Sequence, residues 1–305
     1  MKKLLILPEL VKEIKLGKNL LTQFLFSETT IKPSSLELGE GFLIVTADEQ
    51  RYCVVGKGKS LPPGYKYILV SDKQPNHQNL YDLNLKWLKF PGLDEEFDAN
   101  AVVDSWSDTF SFIEEDLEQE KRGLRKPQIA AIFNIMAHWR VGGEIGTVIM
   151  TTGTGKTETM LSLLIAEKIR QLLVIVPTDP LREQISKKFL TLGHLQNPEF
   201  GIVSTTAKKP IVGVLHENFK TKNELIDFLT KCNVVISTMD LIAAGGLEMQ
   251  RTLADNVFKI FIDEAHHVKA PTWLSFRRIC KNGKVIQFTA TPFRNDGQSL
   301  DGQLI

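Results

Sequence analysis

Cysteine is scarce and poorly placed for cross-linking. The chain of 305 residues holds three, Cys53, Cys232 and Cys280, far apart and with no Cys-x-x-Cys pair. That odd count argues against a disulfide framework or a cysteine-ligated zinc site. Long apolar runs are missing too. The start, MKKLLILPEL, is basic, but its apolar run stops at Pro8 and Glu9, short of a signal-peptide core. No stretch approaches the roughly 18 apolar residues that span a bilayer. A cytoplasmic, soluble protein with no membrane partner is the expectation. Also lacking is a surplus of one charge. Lys and Arg number 37 against 36 Asp and Glu, which excludes a polybasic nucleic-acid coat or an acidic disordered tail.

What is present is unevenly spread. Residues 1–93 carry 13 basic and 9 acidic side chains, 94–120 carry 11 acidic and none basic, and 121–305 carry 24 basic and 16 acidic. Neutrality is therefore a cancellation between segments. With 43% hydrophobic residues the chain can build real cores, and its length predicts two domains at roughly 150 residues each.

Residues 1–93 read as a small α+β accessory domain. Pro8 suits the first turn of a helix through ELVKEIKLGKNLLTQFLF, with Leu10, Ile14, Leu21 and Phe24 as a stripe that Gly17 weakens. FLIVT (42–46) and RYCVVG (51–56) form a hairpin pattern, and YKYILV (65–70) is a further strand. GKGK (56–59) follows the hairpin with no helix after it and reads as a solvated turn. Residues 94–120 read as an acidic linker or a helix with a wet face, or as a cover over the basic surface that follows. Trp106, Phe110 and Phe112 argue that one face packs.

From 121 onward the pattern changes. RKPQIAAIFNIMAHWR sets Ile129, Ile132, Phe133 and Met136 at helical spacing, ended by Gly142-Gly143. Apolar strands recur at 147–150, 172–177, 233–238, 259–264 and 284–291, with helical stretches such as 156–170 and 180–190 between them. Continuous apolar strands alternating with helices predict an α/β domain with a buried parallel sheet. Ligands bind such sheets at the carboxyl ends of strands.

Those ends hold the unusual residues. TVIM runs into TTGTGKT (151–157) and a helix. Gly153 and Gly155 let backbone approach phosphates, and successive N–H groups with the helix N-terminus make an anion nest. Lys156 is set to reach β- and γ-phosphates and Thr157 to ligate Mg²⁺. Met150 stands where the strict pattern has its first glycine. IFIDEAHH (260–267) closes another strand. Asp263 is set to hold Mg²⁺ and Glu264 to polarise a water for phosphoanhydride hydrolysis.

TTGTGKT, DEAH and TATPFR (289–294), in that order, resemble the first motor domain of a superfamily 2 DEAD/DEAH-type helicase. More narrowly they resemble the restriction-type branch that includes type III restriction subunits. VIVPTDPLREQ (174–184), STMD (237–240) and LRKPQ (124–128) resemble further motifs of that branch, and the likeness covers 122–296. It implies a RecA-like domain over 121–305 that binds ATP and Mg²⁺. Gln128 and Arg125 would serve the adenine, while Thr152, Gly153, Thr154, Gly155, Lys156 and Thr157 form the phosphate loop. Asp263, Glu264 and His266 would be catalytic, with Thr157 and Asp263 on the metal. Thr289, Ala290 and Thr291 would couple hydrolysis to strand movement. Pro177, Thr178, Arg182, Ser237 and Thr238 would line a nucleic-acid backbone.

The resemblance implies an ATP-dependent DNA helicase or translocase, possible in restriction or phage defence, with DNA preferred to RNA. An RNA helicase and a nucleotide-gated assembly module that does no catalysis stay open as alternatives. Such motors hydrolyse ATP between two domains, the second supplying arginine fingers. Only 14 positions follow Thr291, so a second motor domain or a partner polypeptide is the expected complement, with poor turnover by this chain alone.

Overall fold

Strand pairing rather than helical spacing organises the start of the chain. Leu5–Leu7 (β1), Leu10–Leu16 (β2), Asn19–Phe26 (β3) and Thr29–Ile31 (β4) are strands, so the helix expected from Pro8 is not formed. Gly17 takes φ +65°, a left-handed conformation open to glycine at no steric cost, and the chain reverses there into β3. Leu20–Gln23 then pair antiparallel with Ile211–Val214. This long-range ladder outweighs a local stripe of apolar residues.

The computed structural model describes residues 3–142, 145–267, 270–280, 284–291 and 302–305. Gly143 of the expected helix end and residues 292–294 of the third motif lie outside them. The chain divides into two units, Met1–Lys12 with Phe24–Glu96, and Glu13–Gln23 with Phe97–Ile305.

The first unit centres on Ser35–Leu38 (β5), Phe42–Ala47 (β6), Gln50–Gly56 (β7), Tyr67–Ser71 (β8) and Leu85–Lys89 (β9), a sheet in that order. The hairpin read at 42–56 is present, turned by Asp48 and Glu49 at positive φ. Leu43, Val45, Val54, Leu69 and Leu80 form its core. Among the described residues its one helical turn is the 3₁₀ turn Leu80–Asp82. The α+β expectation for this part is corrected to β, because its apolar residues alternate along paired strands.

The second unit begins with Ala99–Asp104 (α1) and Lys126–Arg140 (α2). Then strands and helices alternate: Ile145–Ile149 (β10), Lys156–Ala166 (α3), Leu172–Val176 (β11), Asp179–Thr191 (α4), Ile211–Val214 (β12), Lys222–Thr230 (α5) and Val234–Thr238 (β13). Met239–Ala244 (α6), Gly246–Asn256 (α7), Lys259–Ile262 (β14), Ala270–Ile279 (α8), Lys284–Thr289 (β15) and Gln303–Leu304 (β16) complete it. The sheet order is β16-β10-β15-β14-β11-β13-β12-β3-β2, parallel from β16 to β12. This is the RecA-like α/β arrangement expected. Its central strands are buried along their length, as LLVIV in β11 shows, because both faces of a parallel sheet are covered.

Two local expectations change. Phe97, Val102 and Trp106 are buried in the core of this unit, and the Trp106 indole donates to Lys208 O at 2.8 Å. The acidic stretch is thus anchored rather than a free linker. In α2 the buried face is Ala131, Ile132, Ile135 and Trp139, while Phe133 is half exposed and stacks on Phe112 at 4.7 Å.

Candidate active site

The loop 150–155 joins β10 to α3 and is held from both sides. Met150 N–H donates to Thr289 O at 2.8 Å, and Thr154 N–H and Oγ1 donate to Thr151 O at 3.2 and 2.6 Å. Gly153 and Gly155 adopt φ +83° and +93°, a turn closed to L side chains. Gly155 is the N-cap of α3 and offers no side-chain cap, so the first N–H groups of the helix are left to a ligand, the condition for anion binding. Met150 is buried, with Thr159 Oγ1 3.8 Å from its sulfur; its departure from the strict pattern is absorbed by packing.

Asp263 and Glu264 follow β14. Asp263 is 5% exposed, and its N–H donates to Ile175 O at 2.9 Å. Glu264 has φ +49°, uncommon without glycine; its N–H donates to Asp263 Oδ1 at 3.0 Å. The Lys156 ammonium is ion-paired with Glu264 Oε1. Burial pushes the Asp263 carboxyl up to about 6, against the opposing pull of Lys156 and with help from the Glu264 charge. It is therefore mostly ionised at neutral pH and ready to take a cation.

His266 Nδ1 lies 3.1 Å from Thr289 Oγ1 and 3.5 Å from Glu264 Oε2. The buried Thr289 hydroxyl donates to Thr291 O at 2.8 Å and accepts the Thr291 N–H at 3.2 Å. Half-buried Ala290 joins the two threonines. One imidazole thus connects the DEAH carboxylate to the end of β15.

The start of α2 is stitched to the phosphate loop. Arg125 Nη1 donates to Gly153 O at 2.7 Å. Gln128 Oε1 accepts the Arg125 N–H at 2.8 Å while Nε2 donates to Gly155 O at 3.2 Å. A cavity of about 850 Å³ brings Arg125, Gln128, Thr152, Lys156, Thr157 and Asp263 together with both loop glycines and Glu264. That size suits a small-molecule site. Lys188 also lines it, 3.7 Å from Glu158. Among the described residues no group of three His, Cys, Asp or Glu side chains is set to hold a metal alone. Thr157 and Asp263 fit Mg²⁺ as oxygen donors that leave positions for phosphates.

The expected nucleic-acid residues are less open. Thr178 is exposed as the N-cap of α4 and Pro177 is half-buried. Arg182 is 5% exposed, with Nη1 3.1 Å from Asp179 and Nη2 2.8 Å from His216 Nδ1. Burial first, then the Arg182 charge, lowers the His216 pKa. Ser237 and Thr238 are buried; Thr238 Oγ1 accepts the Leu241 N–H, capping α6, and Ser237 Oγ donates to Thr238 O. These three side chains are spent on internal contacts.

A family model described as the type III restriction enzyme, res subunit, matches residues 121–294. No curated protein matches. Among solved structures, the Pyrococcus furiosus Hef helicase domain is 23% identical at TM-score 0.37, over 58% of this chain and 34% of that one. The UvsW helicase from bacteriophage T4 is 14% identical at TM-score 0.43, over 69% and 68%. The type ISP restriction-modification enzyme LlaGI, solved with a DNA substrate mimic, is 19% identical at TM-score 0.39, over 59% and 19%. The chain spans only part of the Hef and LlaGI proteins.

Proposed function

Because the chain belongs to the family of type III restriction enzyme res subunits, matched over residues 121–294, we propose that it is an ATP-driven motor domain acting on DNA. The observation that carries this reading is the convergence of Lys156, Glu264 and Asp263 on one phosphate loop. The loop N–H groups and Lys156 bind the triphosphate. Binding pulls Lys156 off Glu264 and frees that carboxylate to orient and polarise the attacking water. Thr157 and Asp263 would hold Mg²⁺, which would neutralise charge on the phosphates. His266 senses the state of Glu264 and transmits it to Thr289 and Thr291. Arginines from a second motor domain, in the same or another polypeptide, complete the transition-state contacts.

DNA is preferred to RNA on the restriction-type motifs PTDPLREQ and TATPFRNDG. The excess of basic residues in 121–305 supports a polyanion partner, whose affinity falls with salt. The test is ATP turnover in the presence of duplex DNA, single-stranded DNA or RNA, with any second motor domain supplied. Stimulation by DNA supports the reading. Stimulation by RNA alone replaces it with an RNA motor, and turnover indifferent to every nucleic acid removes the motor altogether.

A further inference from the structure

The cavity at the phosphate loop continues along α4 to a second group of residues, Arg122, His194, Asn197 and Phe200. None belongs to a motif quoted above. The segment 194–204 after α4 is firmly tied: Val203 N–H donates to Leu195 O at 2.9 Å, Phe200 N–H to Asn197 O at 2.9 Å and Ser111 N–H to Ile202 O at 2.8 Å. On this frame the His194 and Phe200 rings stack, 14° between planes and 6.0 Å between centroids. The Arg122 guanidinium stands over the Phe200 ring at 5.8 Å, beside Glu199 at 3.9 Å.

A nucleotide has a charged part and a flat aromatic part, and the lining of this cavity includes both Lys156 of the phosphate loop and the aromatic rings of His194 and Phe200. The groups expected at the base, Arg125 and Gln128, already hold the loop glycines. They can meet a base edge, but neither offers an apolar face. Phe200 does. A base slipped between Phe200 and Arg122 needs about 3.5 Å on each side, so the 5.8 Å gap must open to about 7 Å. Arg122 is long and exposed, and among the described residues its ion pair is with the exposed Glu199, a contact that costs little to break. We propose that Phe200, backed by His194 and roofed by Arg122, is the platform on which the purine base stacks. This rests on the reading of the cleft as a nucleotide site.

Calorimetric titration of the full chain with Mg·ATP and with Mg·tripolyphosphate, which has the phosphates but no base, tests it. Phe200→Ala is expected to weaken ATP binding by about 10-fold, within the range for losing one aromatic–base stack, and to leave tripolyphosphate binding unchanged. Phe200→Trp keeps ATP affinity, and its added fluorescence is quenched by ATP but not by tripolyphosphate. ATP binding by Phe200→Ala equal to the wild type overturns the platform. So does equal weakening of both ligands, which would make Phe200 a support for the loop. A wild-type chain that binds neither ligand defeats the nucleotide reading itself.

Discussion

Lys156 and Glu264 form an ion pair in the cleft, and that pairing decides what their variants do. Glu264→Gln removes the internal competitor for Lys156 and the base for water together. Mg·ATP affinity should then be equal to or tighter than wild type, while turnover falls by about 100-fold or more; parallel loss of both would contradict this. Asp263 supplies a pH signature. Its carboxyl is raised from 3.8 to about 6, so the proton is bound more tightly in the folded chain. The stabilisation this gives is complete below the unfolded value and is lost as pH rises through about 6. Asp263→Asn should therefore be more stable than the ligand-free wild type at pH 7.5, by a few kcal/mol at most, with the gap narrowing below pH 6 and closing toward pH 4. A gap independent of pH would contradict the burial argument. The loop and DEAH residues were legible in the sequence because each set sits within one short segment at a strand end. Arg122, His194 and Phe200 were not, because they meet from segments with no shared spacing.

Among the elements, the parallel strands could be read from their unbroken apolar runs, which burial on both faces requires. The first hairpin could not. Leu10, Ile14, Leu21 and Phe24 satisfy a helix stripe, and only the partner strand 211–214, far along the chain, selects strands instead. Gly17 is the local mark of that choice. A Cβ there would fall 2.3 Å from Glu217 Oε1 at φ +65°, so Gly17→Ala should lower stability by about 1–2 kcal/mol, read as a lower urea midpoint. An unchanged midpoint would show that the turn tolerates the side chain. Arg182 also reads differently at this scale: the motif resemblance sets it along a nucleic-acid backbone, while α4 turns it inward to Asp179 and His216.

For the whole molecule, the balance of 37 basic against 36 acidic residues conceals a basic motor segment and an acidic stretch before it. That stretch is anchored through Trp106, so deleting 97–120 should unfold the second unit, seen as loss of its cooperative melt. Neutralising its exposed charges is the cleaner probe. If they screen the motor surface, the pair Glu118→Gln and Glu120→Gln should raise duplex DNA affinity about twofold or more at low salt, and the effect should fade as salt rises. Unchanged affinity would leave the stretch a purely structural part. Everything proposed for this molecule depends on the cleft around Lys156 being a triphosphate site. Calorimetric titration of Mg·ATP into the wild type and Lys156→Ala tests it most directly. One nucleotide should bind the wild type, and affinity in the variant should be at least about 10-fold weaker. Equal binding by the two proteins, or none by the wild type, would contradict it.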